Sequence, residues 1–107
     1  MPMRQFEAFA NPNLAQRQAF PYVVVMQSEQ LAHHSTRLVM PLARLPRAPE
    51  SAPRRLSMAV TVAGEPLYPA AHLCGALPTR LLRRSAGLLR EQSHLLVDAL
   101  DAVVSGI

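Results

Sequence analysis

The sequence predicts a mainly β protein closed by one C-terminal helix, and three patterns carry that prediction. Leu56 to Val62 alternates apolar with small or polar residues at period two, and Tyr22 to Met26 is a short run rich in β-branched residues. Leu95 to Val104 then repeats apolar residues at helical spacing. Several strands joined by tight turns and followed by one helix describe a small, strongly bent antiparallel barrel or sheet with the helix as its lid.

Each element follows from its residues. Gln5 to Phe9 carries two aromatics and is expected as the first strand. Asn11-Pro12-Asn13 is a turn signal, because Asn and Pro favour turn dihedrals, and a polar stretch runs on to Ala19. Pro21 stands at the start of the second strand, where a missing N–H costs least. Arg37 to Leu42 is the third strand, with Leu38, Met40 and Leu42 on one face; Pro41 argues for an edge or a bulge there. Pro46, Pro49 and Pro53 interrupt residues 43–55, and Arg44, Arg47, Arg54 and Arg55 keep them solvated, so a mobile surface loop is expected.

In Leu56 to Val62, Leu56, Met58, Val60 and Val62 form one face, and Gly64-Glu65 supplies a hairpin turn. Pro66 to Cys74 returns as a strand or an irregular arm, weakened by Pro66 and Pro69. A further strand is expected around residues 79–83. Gly87 and the Arg83-Arg84-Ser85 cluster favour a helix that starts near Arg90 rather than near Thr79. On that helix Leu95, Leu96, Ala99, Leu100, Val103 and Val104 cover one side, Asp98, Asp101 and Ser105 the other, and Gly106 ends it.

The chain has 107 residues, enough for one domain with a modest core that dimerisation would help to stabilise. Half of the residues are apolar and no apolar run reaches the ~18 residues of a membrane-spanning helix. The N-terminus has no continuous apolar stretch of the secretory kind, and a single cysteine, Cys74, cannot form an internal disulfide framework; both point to the cytoplasm. The formal charge is +4, and all eleven cationic side chains are Arg. Such a surface can meet nucleic acid or an acidic protein, or serve solubility alone.

The ordered set of short motifs resembles a known family. Gln5-Phe6 is followed by Asn11-Pro12-Asn13, Pro21-Tyr22, an apolar strand and Gln27-Ser28. Thr36 to Leu42, a Gly64-Glu65 turn, Leu77-Pro78 and a terminal Gly106-Ile107 complete it. This looks like CcdB, the toxin family of type II toxin–antitoxin pairs, and the likeness runs from about Gln5 to Ile107. It implies an SH3-like barrel with a C-terminal helix, a symmetric homodimer, and binding of the GyrA subunit of DNA gyrase across the dimer axis. Such toxins trap gyrase on cleaved DNA and have no catalytic residues or cofactor of their own. A CcdA-like antitoxin wraps the dimer with a disordered segment, and the pair represses its operon, the toxin meeting operator DNA only through the antitoxin.

Carried over by position, the gyrase-contacting set is Ser28, Gln30, Leu31, Asp101, Val104, Ser105, Gly106 and Ile107. The antitoxin-contacting set is Asn11, Asn13, Arg17, Arg44 and Arg47, within a surface that continues along the arginine-rich loop to Arg55. One departure stands out: well-studied members carry Trp before Gly-Ile, where this chain has Ser105, and Val104 replaces the preceding aromatic. Trp supplies a large rigid anchor and a face for Arg; Ser supplies neither.

The residues also point to the helix end independently. Asp98 and Asp101 sit in its last turns, where the helix dipole disfavours each acid by about 0.3–1 kcal/mol. No Arg follows Arg90 to offset them. A basic group on a partner would do so; a solvated, screened polar face is the alternative.

Other constellations carry less. His72, Cys74, His33, His34 and His94 lack the spacing of a four-ligand zinc site, so no metal is expected. Ser93, His94 and Asp98 hold triad residue types, but Ser93 and His94 face apart on a helix and no nucleophile elbow is present. Two rival functions stay open: a MazF-type endoribonuclease on a related barrel, and a weakly toxic or non-toxic CcdB homologue with an antitoxin-binding or regulatory role.

Overall fold

A computed structural model describes residues 3–29, 34–45 and 58–105, residue 105 by its backbone alone. Among the described residues there are seven strands and one α-helix: β1 (Glu7–Ala10), β2 (Tyr22–Val25), β3 (Thr36–Ala43), β4 (Val60–Val62), β5 (Glu65–Pro69), β6 (Gly75–Pro78), β7 (Ser85–Leu88) and α1 (Ser93–Ser105). Every described pairing is antiparallel, in the order β4-β5-β3-β2-β1-β7, with β6 joined to β3 beside β5. The result is a strongly bent, nearly closed barrel carrying one C-terminal helix, as the strand and helix patterns predict.

The apolar run of β2 is buried on both faces, which is why it shows no polar alternation. Val24 and Met26 join Met40, Leu42, Val60, Val62, Leu67, Leu96 and Ala99 in the main core under α1. Val23 and Val25 join Phe9, Val39 and Leu82 in a second cluster on the other face. Leu96 is fully buried and contributes roughly 1.5–3 kcal/mol from apolar burial alone.

Several expectations are corrected. The first strand starts at Glu7, not Gln5, because Phe6 takes a positive φ of 68° that no strand accommodates. Phe6 is held from both neighbours, its N–H on the Val25 carbonyl and its carbonyl on the Leu89 N–H. Pro41 does not mark an edge, since β3 is central. It lies where β3 changes neighbour from β6, paired to Thr36–Val39, to β5, paired from Leu42. Its missing N–H falls in that gap, while its carbonyl accepts from Ala70 N–H at 2.8 Å. Leu38 shares the parity of Met40 and Leu42 but is exposed, opposite the small, exposed Ala76 at the outer part of β3.

No strand covers residues 79–83. Thr79–Leu81 forms a 3-10 turn, and only Leu82 of the following residues is buried, so strand periodicity never develops before β7. The β4–β5 turn centres one residue earlier than expected. Val62 pairs with Glu65, and Ala63 and Gly64 both take positive φ, 51° and 81°, as in a type I′ hairpin. Met58 is exposed while Val60 and Val62 are buried; Leu56 and the loop 46–55 lie outside the described residues. Pro66 to Cys74 divides into β5 and a 3-10 turn at Ala71–Leu73 against which α1 packs.

The helix starts late, as expected, after a 3-10 turn at Arg90–Gln92. Its buried line is Leu96, Ala99 and Ala102, flanked by half-buried Leu95 and Leu100. Val103 and Val104 are exposed, so the apolar stripe does not lie wholly against the core.

Candidate functional site

At about 100° per residue, Val97, Asp101 and Val104 share the outer side of α1. All three are exposed, Val97 by 47% and Val104 by 78%. No basic side chain occupies the last turn of α1, and Asp101 lies near that C-terminal end, where the helix carries partial negative charge. Two exposed valines flanking an acid make a face with an apolar contact area and one charge to orient a partner.

Ser28 is exposed in the link after β2. The neighbouring Glu29 accepts from Arg90 at 3.2 Å, which ties this link to the turn leading into α1. The Gln27 side chain spans the same link, accepting from Leu38 N–H at 3.2 Å and donating to the Thr36 carbonyl at 3.5 Å. The Arg90–Glu29 pair therefore joins the link after β2 to the 3-10 turn that leads into α1. Gln30, Leu31, Gly106 and Ile107 lie outside the described residues, as does the Ser105 side chain.

The residues expected to meet the antitoxin divide by role. Asn11 is buried, and its side chain holds the 11–20 loop closed: the amide donates to the Phe20 carbonyl at 2.9 Å and its oxygen accepts from Asn13 N–H at 2.9 Å. Asn13 caps the following 3-10 turn through Ala15 N–H. Arg17 donates from Nε to the Asn11 carbonyl at 2.6 Å. Arg44 pairs with Glu65 at 2.9 Å and donates to the Gln18 carbonyl at 3.2 Å, pinning the loop to the β3–β5 end of the barrel. Arg47 lies outside the described residues. Asn11 thus acts from within, by shaping the loop that presents Asn13 and Arg17.

Among the described residues, recesses flank this loop, two of them beside Asn11 and Arg17. One of about 330 Å³ runs from Asn11 and Phe20 across Val39 and Pro41 to Leu73 and Leu77. The other, of about 360 Å³, lies between Arg17 and the 80–84 segment and is lined by Arg80, Arg83 and Arg84. Sequence reasoning used the Arg83-Arg84-Ser85 cluster only to place the helix start; its convergence with Arg17 depends on β1–β7 pairing, which no local pattern reveals.

Cys74 is half-buried against the main core, and burial pushes its thiol up to about 11. It serves as a small apolar side chain. Among the described residues no group of His, Cys, Asp and Glu is arranged to hold a metal ion, and no helix is long and apolar enough to cross a membrane.

The search of curated proteins found no match to the chain. A family model described as CcdB protein matches residues 5–106, nearly the whole length. The barrel, the late C-terminal helix and this match agree, and the chain belongs to the CcdB family, toxins of type II toxin–antitoxin systems of the gyrase-poison kind.

Proposed function

We propose that this chain acts in the cytoplasm as a single-domain homodimeric toxin that binds the GyrA subunit of DNA gyrase and traps the gyrase–DNA cleavage complex. It performs no bond-making chemistry itself. The observation that carries this reading is the family match over residues 5–106. The outward face of α1 supports it: Val97 and Val104 offer apolar area to a second copy and to gyrase, and Asp101 offers a carboxylate to a basic group on gyrase. Ser28, Gln30 and Leu31 from the link after β2, with Ser105, Gly106 and Ile107, complete the gyrase surface. A CcdA-like antitoxin holds a surface that includes Asn13, Arg17, Arg44 and Arg47, with Asn11 shaping the loop. Together they repress the operon, the toxin reaching DNA only through the antitoxin.

Expression without antitoxin should arrest growth, and a resistant gyrase should relieve the arrest. Arrest that persists with resistant gyrase rejects the target. Purified protein that cuts RNA sequence-selectively would favour the endoribonuclease reading instead. Ser105 in place of Trp favours the second reading, a weakly toxic homologue that binds antitoxin; absence of arrest with retained antitoxin binding identifies it. For the contact itself, Asp101→Ala should weaken binding to a GyrA fragment by about tenfold, the effect of removing a charge-assisted pair. Unchanged affinity removes Asp101 from the interface.

A further inference from the structure

We propose that the recess between β1, the 14–16 turn and the 79–84 segment binds an acidic peptide segment that carries apolar side chains among its carboxylates. This deepens the antitoxin half of the function proposed above and adds a contact that none of the carried-over residues beyond Arg17 includes.

Four arginines converge there: Arg17 from the loop after β1, and Arg80, Arg83 and Arg84 from the segment before β7. The fold forces this convergence. Ala10 N–H donates to the Arg84 carbonyl at 2.9 Å, continuing the β1–β7 pairing, so the two segments run side by side. Leu82 is the pin of the second segment. Its side chain is buried in the second apolar cluster and its N–H closes on the Thr79 carbonyl at 3.0 Å, which leaves Arg80, Leu81, Arg83 and Arg84 facing solvent. Arg17 is oriented by its Nε bond to the Asn11 carbonyl.

No carboxylate among the described residues meets Arg80, Arg83 or Arg84, and none lines the recess. Like charges held together without a counterion repel one another, and an anionic partner relieves that repulsion. The lining also separates a peptide from a nucleic acid. Leu14, 72% exposed, and Leu81, 39% exposed, stand among the arginines, and no aromatic is present to stack a base. Exposed leucines between guanidinium groups match a chain that alternates carboxylates with apolar side chains; a phosphate backbone has nothing to place on them.

The test is fluorescence anisotropy of the full-length protein with a labelled peptide of about twelve residues, Glu and Asp with two Leu, the scale of a bound linear segment. Arg83→Glu with Arg84→Glu should lower affinity at least about tenfold, and Arg4→Glu with Arg90→Glu, the same change in net charge elsewhere, should lower it far less. Replacing the peptide leucines by Ser, or Leu81 by Ser, should also weaken binding. Equal loss in the two double variants reduces the effect to net charge and overturns the proposal. So does a DNA duplex bound as tightly as the peptide, or indifference to the leucines. Because the assay uses purified protein and a synthetic peptide, its failure leaves the gyrase reading standing, and a protein that never arrests growth can still pass it. Thermal unfolding midpoints unchanged in the Arg variants show that the exposed substitutions left the fold intact.

Discussion

Ala63 holds a left-handed backbone conformation, φ 51°, that Asn or Gly adopts with less strain. It is exposed, and the type I′ turn asks for Asn-Gly where the chain has Ala63-Gly64. Ala63→Asn should therefore stabilise the protein by about 0.5–1 kcal/mol, read as a higher urea midpoint. An unchanged or lower midpoint means that the turn's strain is relieved in another way. Cys74 makes a second residue-scale prediction. Its thiol is raised from 9.0 to about 11 by burial, so at pH 8 the folded protein holds about a hundredfold less thiolate than the unfolded chain. Iodoacetamide should alkylate it slowly in buffer and rapidly in urea. The sign for stability follows: the folded state keeps the proton longer, so this contribution is intact below pH 9 and is lost as pH rises through 9 towards 11. Equal alkylation rates in the two conditions would show that the thiol is open to solvent.

At the scale of elements, prolines and edges show which parts of the fold could be read from sequence. Pro66 and Pro69 look like strand breakers, yet both lie in β5. Pro66 faces Thr61 across the hairpin, between the hydrogen-bonded pairs Val62–Glu65 and Val60–Leu67, and lies beyond the stretch of β5 paired with β3. Pro69 lies beyond the stretch paired with β4. Neither removes a ladder bond, and that depends on register, which the residues alone do not specify. β2, β4 and α1 were legible because hydrophobic periodicity is local. The central place of β3, the 3-10 turn at residues 79–81 and the short β6 and β7 were not, because long-range pairing defines them. At the outer edge of β4, Gln92 accepts from Thr61 N–H at 2.6 Å and donates to the Thr61 carbonyl at 2.9 Å. The amide copies a strand's donor and acceptor and joins the turn before α1 to the barrel. Gln92→Ala should cost about 1–2 kcal/mol, with faster hydrogen exchange at Thr61 and around the start of α1. Loss of stability without that local exchange would place the effect elsewhere.

For the whole molecule, the same division governs the candidate site. The helix end and the link after β2 were legible through family resemblance, whereas the outward turn of Val104 and the arginine recess required the fold. Val97 and Val104 leave apolar area uncovered on a chain whose core, at 107 residues, is modest. A second copy seated on that face would bury it and make folding and association one equilibrium. The consequence is quantitative. For a dimer that dissociates as it unfolds, a tenfold rise in protein concentration adds about 1.4 kcal/mol to apparent stability. With a urea slope of about 2–6 kcal/mol/M for unfolding both chains together, the midpoint should move up by roughly 0.2–0.7 M. Val97→Asp places a charge in the proposed contact but not in the core, so it should abolish the concentration dependence and give a monomer by sedimentation, with the strands still formed by circular dichroism. If the wild-type midpoint stays fixed across a hundredfold concentration range, or Val97→Asp remains dimeric, the helix face is not where two copies meet.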